Sequence, residues 1–512
     1  MRVISKSGKL LIREKLLNKY LAWFVVCLIV ISGTFISCHR RNDLDEVSNT
    51  VKFQIISEIK LDRSSPFYID FKKYPAVRND LPIGIFDSGT GGLTVLDAIM
   101  RMDQFNNQTQ EAGADGVPDF VSEHFIYLGD KANMPYGRYD SKGKSDFLKE
   151  LVLKDVQFLL GKKYYSAPDN SEPDTDKSPV KAIVIACNTA TAYGLDLVRE
   201  ALNGWGGRIE VIGIIESGVK AAVYGLGFVR ENHIIGVFAT EGACASEGYP
   251  RAIKRQYLQS FQGTIGVIQQ PGFGLAGAID GDLSYIDPDA TELRGTEDYQ
   301  GPGIGHSRYP IDISLMQEYN FIGGNELHIK RDEEENIIEM ELNSIANYIR
   351  YYVTHLVVKT RREYPGGTLD AVILGCTHYP FFHQEFKDHF LYLRSLDDSY
   401  AQIISEEIKL IDPAISEAVE LYKYMQGEKL LSTSTFEGSR FFISVPNPLL
   451  KSNQIDEKGE FPLVYKYGRS INQSLEYVKR VPFSEKWIGA DVLARIKAKM
   501  PDIYKSMFEI EQ

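Results

Sequence analysis

Nothing in the 512-residue chain resembles a nucleotide-binding loop: it has neither a G-x-x-x-x-G-K-[ST] sequence nor a G-x-G-x-x-G fingerprint. No nucleotide cofactor is therefore expected, and no other cofactor is indicated. Cysteine is scarce, at positions 27, 38, 187, 244 and 376, without C-x-x-C or metal-ligand spacing. That excludes a zinc site or a disulfide framework as the organising device, and no metal is expected. Positive charge is in deficit, with 57 Lys+Arg against 69 Asp+Glu and a net charge of −12. No basic stripe with interleaved aromatics runs through the globular part, so no nucleic-acid partner is expected. What remains, 44% hydrophobic and 25% charged, fits a globular protein of two or more domains.

The N-terminus carries its own message. Residues 1–19 hold six Lys/Arg and one Glu, followed by the apolar run YLAWFVVCLIVISGTFIS (20–37) and then Cys38. A basic region ahead of an apolar one describes an export signal that leaves the globular part outside. Ser37-Cys38 resembles a lipoprotein processing box, with Cys38 as the lipidated residue, although Phe35 is atypical for it. The competing reading is an uncleaved anchor, since an 18-residue run is just long enough to span a bilayer. The lipoprotein reading is preferred, and both place the chain at the membrane of the cell envelope. A cytoplasmic location is the alternative.

Two stretches share one grammar. In KAIVIACNTATA (181–192) and AVILGCTHYP (371–380), an apolar run ends on a cysteine followed by polar residues. Each thiol is predicted at the C-terminal end of a parallel strand, the edge where open α/β sheets bind ligands. A helix N-terminus there can lower a thiol pKa. Taken singly, a buried small Cys with a capping Thr is the commoner arrangement.

A weak internal repeat links further segments. IGIFDS (83–88) recurs as IGVFAT (235–240), and AIVIACNT (182–189) recurs as AVILGCTH (371–378). The expectation is an α/β fold of two pseudo-symmetric domains, with parallel sheets facing a central cleft. The division expected is 1–38 signal or anchor, 39–80 polar tether, 81–212 plus about 413–447 the first domain, and 213–412 the second. Residues 283–340 read as a long Gly/Pro/Asp/Tyr-rich insertion, functional or poorly ordered. Periodicity over Leu342, Ile345, Ile349, Tyr352 and Leu356 predicts a helix. Residues 448–512 read as a C-terminal extension ending in the amphipathic ADVLARIKAKM.

In this order, IGIFDSGTGGLTVL, YLGD…PYG, ACNTATA, IGVFATEG and LGCTHYP resemble the glutamate racemases of the cofactor-independent aspartate/glutamate racemase superfamily. The match covers about residues 83–250 and 369–420, with a fainter echo at RFFISVPN (440–447). The resemblance implies interconversion of L- and D-glutamate without a cofactor, linked to the D-glutamate of peptidoglycan. It implies Cys187 and Cys376 as the two acid/base groups, with Asp87 beside the first and His378 beside the second. Asp87, Ser88, Tyr136, Gly137, Asn188, Thr189, Thr377 and His378 match positions that hold the amino-acid substrate. Asp280 corresponds to a family Glu supporting the second half. Cys244 matches nothing catalytic and is read as core.

Racemisation needs two groups because a proton leaves one face of Cα and another arrives on the opposite face. Thiols suit the task, since modest environmental shifts move them between thiol and thiolate. The chain departs from the family pattern at Ala243, often a Thr, and at Gln270-Pro271-Gly272, usually Ala-Cys-Pro. Racemisation of another amino acid therefore remains an alternative. So does an exported, non-catalytic lipoprotein that binds an acidic amino acid or muropeptide, although binding alone requires neither thiol. A homodimer is an open expectation. The family normally serves wall synthesis inside the cell, a step that an exported copy does not serve directly.

Overall fold

The computed structural model describes residues 49, 52–76, 78–226, 232–279, 281–432, 438–451, 454–457 and 459–508. The expected signal or anchor, including Cys38, lies outside the described residues. Among the described residues, no helix is long and apolar enough to cross a membrane.

Twelve strands form three sheets among the described residues. In chain order they are β1 (Ile83–Asp87), β2 (Phe125–Gly129), β3 (Ala182–Ile185), β4 (Glu210–Gly213), β5 (His233–Ala239) and β6 (Gly266–Pro271). There follow β7 (Leu327–Arg331), β8 (Ile337–Leu342), β9 (Thr368–Gly375), β10 (Ile404–Ile411), β11 (Arg440–Pro446) and β12 (Val478–Pro482). The first sheet has the order β12-β11-β2-β1-β3-β4 and the second β10-β9-β5-β6, while β7 and β8 pair alone. All pairings in the two larger sheets are parallel except β11 with β12. The strands β1, β2, β3 and β5 are buried throughout, as expected of parallel sheets covered by helices on both faces.

The repeat in the sequence is a repeat in topology. Reading β2-β1-β3-β4 against β6-β5-β9-β10 superposes the IGIFDS strand on the IGVFAT strand and one cysteine strand on the other. The two α/β halves are each built around that four-strand unit. Register then decides which residues meet beyond the strand ends. Phe86 pairs with Ile185 in the first half and Ala239 with Gly375 in the second. Asp87-Ser88 and Cys187 therefore emerge together, as do Thr240 and Cys376.

Four segments are organised in ways that local pattern did not reveal. Within the expected tether, residues Gln54–Leu61 form a helix with Ile55, Ile56 and Ile59 buried, and the Trp205 indole donates to the Ile56 carbonyl at 2.9 Å. The insertion is folded onto the second half, with Tyr309 stacked on Phe273 at 4.8 Å and Tyr319 stacked on Tyr351. The helix expected from Leu342 onward runs over Ile345–Glu363, because the Ser344 side chain caps it by accepting the Asn347 N–H. Leu342 instead closes β8. Finally, the C-terminal segment adds β12 to the edge of the first sheet. The helices Ala490–Lys499 and Pro501–Phe508 follow it.

Candidate active site

The first cysteine turn is shaped by close packing at its glycines. A methyl group added to Gly92 would stand 2.6 Å from Asp87 Cβ and 2.9 Å from Ala186 Cβ. Only glycine lets the chain after β1 pass so near the end of β3. Asp87 is buried there, and its Oδ2 accepts the Gly89 N–H at 2.9 Å. Burial raises its pKa, and the N–H groups of Gly89, Gly92 and Ser88 counter the rise without cancelling it.

Cys187 is the N-cap of the Asn188–Trp205 helix, and its Sγ accepts the Ala190 N–H at 3.4 Å. Ser88 Oγ lies 3.6 Å from the same sulfur. The expectation that a helix N-terminus lowers the thiol pKa is overturned at this residue. Burial, then the nearby Asp87 charge, push the thiol up to about 12 against the pull of the Ala190 N–H and Ser88. Desolvation outweighs the helix end and the Ser88 hydrogen bonds together, because the sulfur is enclosed. Cys376, also buried, lies at the end of β9 with its Sγ 3.5 Å from His378 Nδ1. Cys187, Cys244 and Cys376 are free thiols.

A cavity of about 430 Å³ joins the two halves. Asp87, Ser88, Cys187, Asn188 and Thr189 line it from the first half, and Cys376, Thr377 and His378 from the second. Eight of the site residues expected from sequence are thus brought together. Tyr136 and Gly137 are not among the lining residues. The Tyr136 ring is buried, and its hydroxyl oxygen lies within hydrogen-bond distance of both Asp130, at 2.5 Å, and Asp155, at 2.7 Å. Gly137 instead packs near Gly242 of the second half, so a Cβ there would be 3.6 Å from Gly242 Cα. Asp280 lies outside the described residues.

The departures from the family pattern have local reasons or consequences. Ala243 lines the cavity, so the wall carries a methyl group at that point. Gly272 admits the Tyr379 ring: an added Cβ would fall 2.5 Å from its hydroxyl oxygen, which donates to the Gly272 carbonyl at 3.3 Å. Cys244 is buried and free but is not a lining residue. The cavity also takes residues that sequence motifs did not indicate, among them Met134, Phe381, Arg495 and Lys499. Helical periodicity marked ADVLARIKAKM as amphipathic but said nothing of what it packs on. Among the described residues, no group of three or more His, Cys, Asp or Glu could hold a metal ion.

Duplicated α/β halves that each bring a thiol to one shared cavity define a paired-cysteine α/β protein. No family model matches the chain. A glutamate racemase from Levilactobacillus brevis is 35% identical over 368 residues, covering 72% of this chain and 87% of the relative. One from Staphylococcus carnosus is 35% identical over 313 residues, 60% of this chain and 73% of the relative. A glutamate racemase crystal structure from Bacillus anthracis aligns with a TM-score of 0.41 and 23% identity, covering 72% of this chain and 89% of that one. The chain belongs to the glutamate racemase family.

Proposed function

We propose that this protein interconverts L- and D-glutamate, with Cys187 and Cys376 as the two proton-transferring groups. The observation that carries the reading is the arrival of both thiols, from equivalent strand ends, at one cavity. One thiolate takes the proton from Cα, breaking the C–H bond and forming S–H. The opposite thiol then gives its proton to the other face, forming C–H and becoming thiolate. No atom or electron is left over, and the protein emerges with the two protonation states exchanged. Asp87 and Ser88 serve Cys187 and His378 serves Cys376, while Asn188, Thr189 and Thr377 offer donors to substrate carboxylates. The product has the chemistry required for peptidoglycan D-glutamate.

Reaction in heavy water tests the two-base step. Product formed early from either enantiomer should carry solvent deuterium at Cα, while the remaining substrate stays protiated. Equal early exchange into substrate and product would show a single base and overturn the reading.

The N-terminus supports a further part of the proposal: residues 1–37 export the chain, and lipidation at Cys38 holds it at the membrane. Its support is the basic segment and the apolar run that precede Cys38. Metabolic labelling with a fatty acid should tag the wild type and spare Cys38→Ala. An untagged wild type would leave the uncleaved anchor as the better account.

A further inference from the structure

The cavity has a wall that comes from neither four-strand unit. The Ala490–Lys499 helix lays Val492, Arg495, Ile496 and Lys499 along it, followed by Met500. Spacings of three and four residues put these side chains on one helical face. That helix is anchored in the first half, where Leu493, Ile496, Met500 and Ile503 share a core with Leu93, Leu96 and Ile99. Arg101 reinforces the contact, lying 3.1 Å from Asp97 and 3.9 Å from Asp502. The approach to the helix is held too, since Lys131 Nζ donates to the Trp487 carbonyl at 2.7 Å. At its far end the helix meets the second half, with Lys499 Nζ 5.5 Å from the centre of the Phe381 ring. Phe381 is three residues beyond His378, so this cation stands beside the second cysteine turn.

Charge gives the arrangement its meaning. The remaining described walls offer hydroxyls, amides, apolar groups, the two thiols, the buried Asp87 and the His378 imidazole. Both permanently cationic side chains among the described lining residues belong to the C-terminal helix. Glutamate brings two carboxylates and one ammonium group, so its side-chain carboxylate enters as uncompensated negative charge.

We infer that Arg495 and Lys499 are the specificity-determining residues of this racemase, drawing in and holding the side-chain carboxylate of an acidic amino acid. The inference rests on the racemase reading and assigns the wall that selects the substrate. The two cations act on the part of the substrate remote from Cα. Their contribution is therefore to binding, with little effect on proton transfer itself.

The test is steady-state racemisation by the full chain bearing Arg495→Gln and Lys499→Gln together. KM for glutamate should rise about tenfold or more, as expected when charged hydrogen-bond partners are lost. At the same time kcat should stay within about threefold, and Lys497→Gln, which removes one positive charge from an exposed residue of the same helix off the cavity, should leave both constants unchanged. In the wild type, kcat/KM should fall with added salt, and the double variant should lose that dependence. A double-variant KM close to that of the wild type would overturn the inference. So would a wild-type kcat/KM indifferent to salt, a readout that needs no variant to fold. A wild type that fails to racemise glutamate would count against the racemase reading instead. Calorimetric titration with D-glutamate would then decide the cation assignment separately, equal affinity in wild type and double variant refuting it.

Discussion

The Asn188 side-chain amide donates to the carbonyl of Gly375 at 3.2 Å, tying the residue after the first cysteine to the residue before the second. Its Oδ1 meanwhile accepts the Tyr249 hydroxyl at 2.8 Å. One side chain from the first half is thus held at two points by the second. Asn188→Ala should lower kcat/KM by about tenfold or more, because it frees the two cysteine turns from each other and removes a substrate donor. Tyr249→Phe, which leaves the Gly375 bond intact, should cost less. Equal losses in the two variants would show that the cross-cavity bond contributes nothing.

Cys187→Ala and Cys376→Ala should each reduce racemisation by about 10²- to 10⁴-fold, since losing either face stops proton delivery. Polarimetry with each enantiomer measures this directly. Substantial turnover in either variant would refute the paired-thiol assignment.

The thiol of Cys187 is pushed up to about 12 by burial first and by Asp87 second. A raised pKa means that thiol dominates at neutral pH and that thiolate grows with each added pH unit. Alkylation of Cys187 by iodoacetamide should therefore accelerate about tenfold per unit from pH ~7 to ~10, where an ordinary thiol would level off near its pKa of about 8.5. The folded state also holds this proton more tightly than the unfolded chain does. Its contribution to stability is complete below about pH 8.5 and is lost as pH rises toward about 12. Peptide mapping after timed alkylation checks the first effect, and a plateau by about pH 9 would contradict it.

Arg480 on β12 lies 3.3 Å from Asp155, a fully buried carboxyl whose pKa burial and the Asp130 charge push up. Removing the cation leaves Asp155 and Asp130 facing each other without it. Arg480→Met should destabilise the protein by about 3 kcal/mol, and adding Asp155→Asn should recover part of that loss. Chemical denaturation of both variants provides the measurement. Wild-type stability in Arg480→Met would mean that the Arg480–Asp155 pair contributes little to the first half.

The strand ends that meet at the cavity were legible because an apolar run broken by Cys-Asn-Thr or Cys-Thr-His leaves few interpretations when it occurs twice. The repeat between IGIFDS and IGVFAT likewise foretold two equivalent sheets. Tyr136 was harder: what turns its hydroxyl inward is the buried pair Asp130 and Asp155, residues 6 and 19 positions away. Neither carboxyl advertises burial from its own neighbours in sequence. The insertion was opaque because long-range ring contacts such as Phe273 with Tyr309 hold it in place. Arg495 and Lys499 were opaque for a related reason. Amphipathic spacing tells which face of a helix seeks cover, whereas its location depends on where β12 delivers the chain.

Cys187 keeps company with Ser88 and a buried Asp87, and Cys376 with His378. Mirror-image substrates have identical free energies in water, so no asymmetry of the walls can favour one of them at equilibrium. The ratio kcat/KM must then be the same for both enantiomers at every pH. Unlike neighbours around the two sulfurs can express themselves only as offsetting differences, in which the more tightly bound enantiomer turns over correspondingly more slowly.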